Sequence, residues 1–294
     1  MVQETEREWG LVMMKDDITP RKRFLAIDTS THMLTVTVVE GTKVLQEVSS
    51  SAERNHSLYL IPTIKQVLEG LGLQEKDLDG IIVGRGPGSY TGVRIGVTVG
   101  KTLAWVWKKP IVGVSSLEGL ALAGWQHATQ SLMKVEGNRD VMLPLATLNV
   151  REQQAEKMQS VDWIVPLMDA RRGQVYTSLW FGQAIADAIQ WEGVAEDRVR
   201  LMKDWVDQIV ERTIEQGTPA HIWIVGDVQL HLAEAERLQS LINCPVHIVS
   251  YTMEARWLGL TGGKRLMQGD FDDAHRLEPN YTQLAEAEAK LLAK

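Results

Sequence analysis

The feature that most constrains this chain is an internal echo. "FLAIDTSTHMLTVTVVEG" and "WIVPLMDARRGQVYTSLWFG" each run a short apolar stretch into an aspartate, then a tight turn, then alternating residues. Asp28 to Gly41 is thirteen positions, and so is Asp169 to Gly182. In that alignment Leu34, Val36 and Val38 fall opposite Val175, Thr177 and Leu179. The next apolar runs, "GIIVG" and "IWIVG", end at Gly84 and Gly226, which lie 56 and 57 positions after their respective aspartates. A period this long is far beyond a solenoid unit. It predicts two duplicated α/β domains, each opening with a strand, an aspartate turn and a hairpin. The competing explanation is coincidence between two ordinary α/β segments.

Local patterns fill in the units. "MLTVTVVEGTKVLQEVS" alternates about Gly41 and predicts a hairpin. "SLYLIPTIKQVLEGLGL" places Leu58, Ile61, Ile64, Leu68 and Leu71 at helical spacing, with Ser57 as the expected N-cap. A helix is expected from about Thr91 to Trp107, stopped by Pro110. Another begins at "SSLEGLALAGW", where Ser115 and Glu118 have capping-box spacing. The expected division is a polar extension over 1–22, a first α/β domain over 23–125, a polar insertion or linker over 126–162, and a second α/β domain over 163–294. Met13 and Met14, within the extension, are candidates for an alternative translation start.

Composition narrows the function classes. The 294 residues are 44% hydrophobic and 23% charged, ordinary values for a globular chain. Lys and Arg number 31 against 38 Asp and Glu, a net charge of −7. An acidic chain is a poor stand-alone binder of nucleic acid, because phosphate affinity comes from clustered Lys and Arg. Cys244 is the only cysteine, which removes internal disulfides and cysteine zinc sites, fits a reducing cytosol, and reads as core. No run approaches a membrane span, and the N-terminus lacks the apolar core of a signal peptide.

The loop "GRGPGSYTGVRIG" invites a phosphate-binding reading. It fails the Walker pattern, since no Lys follows the glycines in register. It fails G-x-G-x-x-G because Ser89 holds the third position. Backbone N–H groups at the following helix start could still hold an anion, with help from Arg85 and Arg94, or the glycines could simply form a tight turn. Gly92, Gly96 and Gly100 share one helix face, and each interior glycine costs about 1 kcal/mol against alanine. The return would be close approach to the chain's own sheet or helix, or to a partner's helix. Asp28 and Asp169 end strands, where α/β proteins place ligands, and could ligate Mg²⁺ beside a nucleotide; the alternative is use as turn or cap residues. The histidines (32, 56, 127, 221, 231, 247 and 275) form neither H-x-x-x-H nor H-E-x-x-H, and no serine lies in G-x-S-x-G. His56, before a helix, reads as a surface or capping group.

"LAIDTST", "GRGPGSYTGVRIG", "PIVGVSSLEGLA" and "MDARRGQVY" closely resemble the TsaB (YeaZ) family of tRNA threonylcarbamoyladenosine biosynthesis. The resemblance is specific over Arg23–Trp125 and Trp163–Trp180, and "LEPNYT" is similar to the family's closing P-x-Y segment. Residues 1–22 and 126–162 exceed the usual family length. The resemblance implies duplicated actin/Hsp70/hexokinase-like (ribonuclease H-like) domains and a cytoplasmic, non-catalytic role beside the paralogue TsaD. TsaD carries an H-x-x-x-H metal pair, absent here, and performs the transfer to the adenosine beside the anticodon. The implied partners are TsaD in a heterodimer, TsaE and tRNA through that complex, or a second copy in a homodimer, with no cofactor and no membrane. Asp28, Thr29 and Ser30, with Asp169, then mark a degraded nucleotide site, because Thr29 and Ser30 stand where ATP-using relatives place glycine. The resemblance turns Leu58, Ile61, Ile64, Leu68, Gly92, Val93, Gly96 and Gly100 into the expected docking surface. An actin-fold ATPase or sugar kinase is the alternative function. A peptidase, an older family label, has no nucleophile–base or metal constellation here.

Overall fold

The computed structural model describes residues 22–52, 55–135, 148–149, 161–185 and 188–282. Residues 1–21 of the 1–22 extension and most of the 126–162 stretch lie outside them. The first half runs β1 (Arg23–Asp28), β2 (Met33–Glu40), β3 (Lys43–Ser51), α1 (His56–Gly70), β4 (Gly80–Gly84), α2 (Tyr90–Trp107), β5 (Ile111–Val114) and α3 (Ser116–Val135). After β6 (Leu148–Asn149) come β7 (Asp162–Asp169), β8 (Gln174–Ile185), β9 (Ala188–Leu201), α4 (Met202–Gln216), β10 (Ile222–Gly226), α5 (Leu232–Leu241), β11 (Val246–Ser250) and α6 (Ala255–Met267).

The sheet orders are β3-β2-β1-β4-β5 and β11-β10-β7-β8-β9-β6. Reading the second from β9 to β11 repeats the first strand for strand, with β6 added at its edge. In each, a first strand pairs antiparallel with its hairpin partner and parallel with the strand after the first helix. This is the duplicated ribonuclease H-like arrangement of actin-type proteins.

Each sheet is covered on both faces, so its central strands are near-continuous apolar runs. Outside the first sheet, Leu25, Ile27, Leu34, Val36 and Val38 pack with Leu60, Ile64 and Val67 of α1. Outside the second, Trp163, Val165 and Leu167 pack with Trp205 and Ile209 of α4 and Leu238 of α5. Between the sheets the helices cross over. Leu122 and Trp125 of α3 lie on Ile164, Trp223 and Val225 of the second sheet. Leu258 and Leu266 of α6 return to Phe24, Ile82 and Val114 of the first.

Three local expectations need correction. The α1 cap position is Asn55 rather than Ser57, and no side-chain cap bond forms there. His56 is 4% exposed, not a surface group, and its Nε2 lies 3.4 Å from the Met33 carbonyl. Helix α3 runs through the polar-looking residues 126–135, because Gln126 and Ala128 are buried on its inner side. Among the described residues no helix is long and apolar enough to cross a membrane.

Candidate functional site

Two parts of the first half carry the features the sequence singles out: the glycine loop between β4 and α2, and the paired helices α1 and α2. Pairing of Ile27 with Val83 brings Asp28 level with Gly84. Asp28 is wholly buried. Its Oδ1 accepts bonds from Ser30 N at 2.8 Å and Ser30 Oγ at 2.7 Å, and its Oδ2 from Ser116 Oγ at 2.6 Å. Burial pushes this carboxyl above its ordinary range, while the Ser116 and Ser30 bonds pull it back. A Cβ on Gly84 would strike the carboxylate itself. Both oxygens therefore bind within the chain, and the carboxylate is closed off from solvent.

The loop is occupied in the same way. Ser89 N donates to Ser30 O at 2.7 Å, and Gly92 N donates to Ser89 Oγ at 3.3 Å. Thr29 Oγ1 donates to Gly92 O at 2.8 Å. The first two of these bonds use the N–H groups of Ser89 and Gly92, two of those at the helix start that an anion would need. Arg94 turns away: its guanidinium lies 4.1 Å from the Tyr90 ring centre, and its Nε donates to Tyr281 Oη at 2.9 Å. Arg85 borders a separate cavity of about 330 Å³, shared with Asp272, Arg276, Asn280 and Tyr281.

The glycine strip is also filled from inside. A Cβ on Gly92 would collide with Thr29 O, and one on Gly96 with Thr29 Oγ1. One on Gly100 would lie 3.3 Å from Val83 Cβ and 3.5 Å from Ile111 Cδ1. Gly92, Gly96 and Gly100 are buried, and Val93 is 3% exposed in a core with Ile81, Val83 and Val97. These four residues bring α2 against the chain's own β1 turn and β4, so the expectation that they face a partner is corrected.

Helix α1 divides the other candidates. Ile64 and Leu68 are core residues, packed with Leu60 and Val67. Leu58 and Ile61 are 66% and 50% exposed, and Tyr59 between them is 51% exposed. The buried stripe is Leu60–Ile64–Val67–Leu68, so Leu58 and Ile61 fall outside it. Trp105, 66% exposed, closes an outward stripe of α2 through Thr91, Arg94, Thr98 and Thr102. Tyr59 and Trp105 were missed from sequence. The signal was the spacing of the α2 stripe, which is legible once the glycines are assigned inward.

Asp169 joins a different network. Gly226 pairs with Leu167, so Asp169 extends two residues beyond that level. By sheet register Leu167, not Asp169, is the counterpart of Asp28. Asp169 Oδ1 lies 3.2 Å from His231 Nε2 and accepts from Arg171 N at 3.2 Å, while its own N donates to Asp227 Oδ2 at 3.1 Å. The structure thus holds Asp28, Thr29 and Ser30 in one buried cluster and Asp169 in a separate, part-exposed one. Among the described residues no group of three His, Cys, Asp or Glu side chains is arranged to hold a metal.

Fold and site define a duplicated actin-like α/β protein whose first-strand turn is sealed and whose α1 presents an apolar face to solvent. The chain is 31% identical over 268 residues to the tRNA threonylcarbamoyladenosine biosynthesis protein TsaB of Bacillus subtilis, a match covering 90% of this chain and 96% of that one. It belongs to the TsaB family of tRNA threonylcarbamoyladenosine biosynthesis proteins. TsaB of Escherichia coli is 27% identical over 192 residues, covering 63% of this chain and 69% of that protein. A family model described as TsaD, tRNA N6-adenosine threonylcarbamoyltransferase, matches residues 43–144. A solved Pseudomonas aeruginosa structure, described as similar to peptidase YeaZ, superposes with a TM-score of 0.60 at 21% identity, covering 89% of this chain and 100% of that one. That likeness supports the fold.

Proposed function

We propose that this chain is a non-catalytic subunit that docks on TsaD in N6-threonylcarbamoylation of tRNA, acting with TsaE and meeting tRNA through that complex. The observation that carries the reading is the apolar patch of Leu58, Tyr59 and Ile61, at least half exposed on the first turns of α1. Contiguous exposed apolar groups of this kind mark interaction sites. The sealed Asp28 cluster supports the non-catalytic part, because the strand end that holds nucleotide in ATP-using relatives is filled by Ser30 and Ser116. The buried glycine strip narrows docking to the outward residues Leu58, Tyr59, Ile61 and Trp105. The same face would serve a homodimer, since a two-fold contact reuses one patch, and self-association would then compete with docking.

The test is reconstitution with the transferase from the same organism. Threonylcarbamoyl transfer to tRNA should require both proteins, and this chain alone should neither modify tRNA nor bind ATP saturably at low micromolar concentration. Transfer by the partner at full rate without this chain would end the reading. So would turnover by this chain alone.

A further inference from the structure

The inner face of the second sheet carries a pair of histidines at the end of the strands opposite Asp169 and Gly226. Ile222 pairs with Trp163 and Trp223 with His247, so the parallel register sets Asp162 level with His221 and puts His247 on the next strand. The three residues belong to the starts of β7, β10 and β11. His221 and His247 are too far apart in the chain to form a spacing motif. They meet because β10 and β11 are neighbours.

His221 Nδ1 lies 2.9 Å from Asp162 Oδ1, and Trp125 Nε1 donates to Asp162 Oδ2 at 2.7 Å. A carboxylate only accepts, so in the neutral ring the proton sits on Nδ1 and Nε2 keeps its lone pair. A carboxylate behind one ring nitrogen, with a lone pair on the other, is how proteins orient a metal-binding histidine. The His247 ring stacks on Trp223 with centres 4.0 Å apart. It lies 5.3 Å from the His221 ring at 54°. Two imidazoles on one ion at the usual bond length hold their ring centres about 5 Å apart at a tetrahedral angle, so the separation fits. His247 Nε2 is buried and has no hydrogen-bond partner among the described residues. Such an orphan costs stability unless a ligand satisfies it. Burial and the neighbouring His221 lower the pKa of His247, with Asp162 opposing, which favours the neutral ring that a metal needs.

We propose that His221 and His247 are the two protein ligands of a divalent transition-metal ion, with water completing its shell and Asp162 as the positioning carboxylate behind His221. Imidazole nitrogen suits Zn²⁺, Ni²⁺ or Cu²⁺, whereas Mg²⁺ and Ca²⁺ take oxygen ligands. Asp162 is not a third ligand, because both of its oxygens are engaged by His221 and Trp125. The His221 side chain is 39% exposed and gives the ion a way in from solvent. The ion would clip β11, an edge strand of the second sheet, to β10. The site is distant from α1 and does not depend on docking.

Calorimetric titration of the full chain with Zn²⁺ at neutral pH tests the site. One ion per chain should bind with micromolar affinity, and Mg²⁺ should give no saturable heat. His221→Ala and His247→Ala should each weaken binding tenfold or more. Asp162→Asn should weaken it about tenfold, by loss of orientation rather than of a ligand. Absence of saturable Zn²⁺ binding below millimolar concentration overturns the site, and so does wild-type affinity in either well-folded histidine variant. Wild-type affinity in Asp162→Asn overturns the role given to the carboxylate. A second measurement needs no variant: acylation of the wild-type histidines by diethyl pyrocarbonate, with and without Zn²⁺, read by mass spectrometry. Zn²⁺ should protect His221 and leave His32 and His275, both exposed, as reactive as before. Unprotected His221, or equal protection of all three, overturns the proposal.

Discussion

Helices α1 and α2 lie side by side on one sheet, and each carries residues that are out of place in an isolated helix. In α2 these are three glycines in one row, all buried. In α1 they are Leu58, Tyr59 and Ile61, all exposed. The glycines are explained within the chain, because the Thr29 carbonyl and Val83 stand where side chains would go. The apolar residues of α1 have no such internal account. A stripe of small residues thus reports a close neighbour without saying whose neighbour it is, whereas an exposed apolar turn points outward.

The sharpest way to break this contrast is Gly92→Leu. Its side chain would enter the space of the Thr29 backbone, which is fixed by β1. We expect a loss of about 4 kcal/mol or failure to fold. A variant melting within a few degrees of wild type would return the glycine strip to the surface.

Asp28→Ala comes next. It removes the acceptor of three bonds in a closed site, and a loss of about 3 kcal/mol is expected. Asp169→Ala, at a side chain 26% exposed, should lose about 1 kcal/mol or less in the same denaturant titration. Equal losses would mean that the two aspartates are equivalent after all.

Those two aspartates also show where the sequence was legible. The repeated order of apolar run, aspartate turn and alternating strand exposed the duplication, and the repeated strand order bears it out, but the glycine spacing is coincidental: Gly41 turns between β2 and β3, whereas Gly182 lies inside β8. The same spacing misaligned the aspartates, because Asp28 pairs with Thr35 while Asp169 pairs with Val175, one residue sooner. Linear distance cannot see a turn of different length. The helix face of α1 was half legible for a related reason. Leu58, Ile61, Ile64 and Leu68 fit a helical period, but so does the true stripe through Leu60 and Val67, and only the position of the sheet selects between them. The crossover of α3 and α6 left no local mark, since packing on a distant sheet leaves the same amphipathic pattern as packing on a near one.

Glu118→Gln should act in the opposite direction. The Glu118 carboxyl sits at about 7 in the folded chain against 4.5 ordinarily. Between those values the folded state holds the extra proton, so stability falls as pH rises from 4.5 through 7 and is level above. The variant should be more stable than wild type by about 2 kcal/mol at pH 8, after allowance for partial exposure, with little gain at pH 4.5. Chemical denaturation at both pH values measures this.

Smaller effects grade the strip itself. Gly96→Ala displaces the Thr29 hydroxyl and its bond to Gly92 O, an expected loss of about 1 kcal/mol. Gly100→Ala meets Val83 at 3.3 Å, and better helix propensity should offset that contact to within about 1 kcal/mol. A reversed order would mean that the strip is not graded by its approach to the β1 turn.

The docking face should show the smallest effect on stability and the largest on association. In Leu58→Asp/Ile61→Asp, both replaced side chains are at least half exposed, so the melting temperature should stay within a few degrees of wild type. Titration of this variant into the transferase from the same organism is the most direct measurement. The account expects affinity to fall about a hundredfold or more, as for loss of central interface anchors. Wild-type affinity in the well-folded variant would contradict docking through α1.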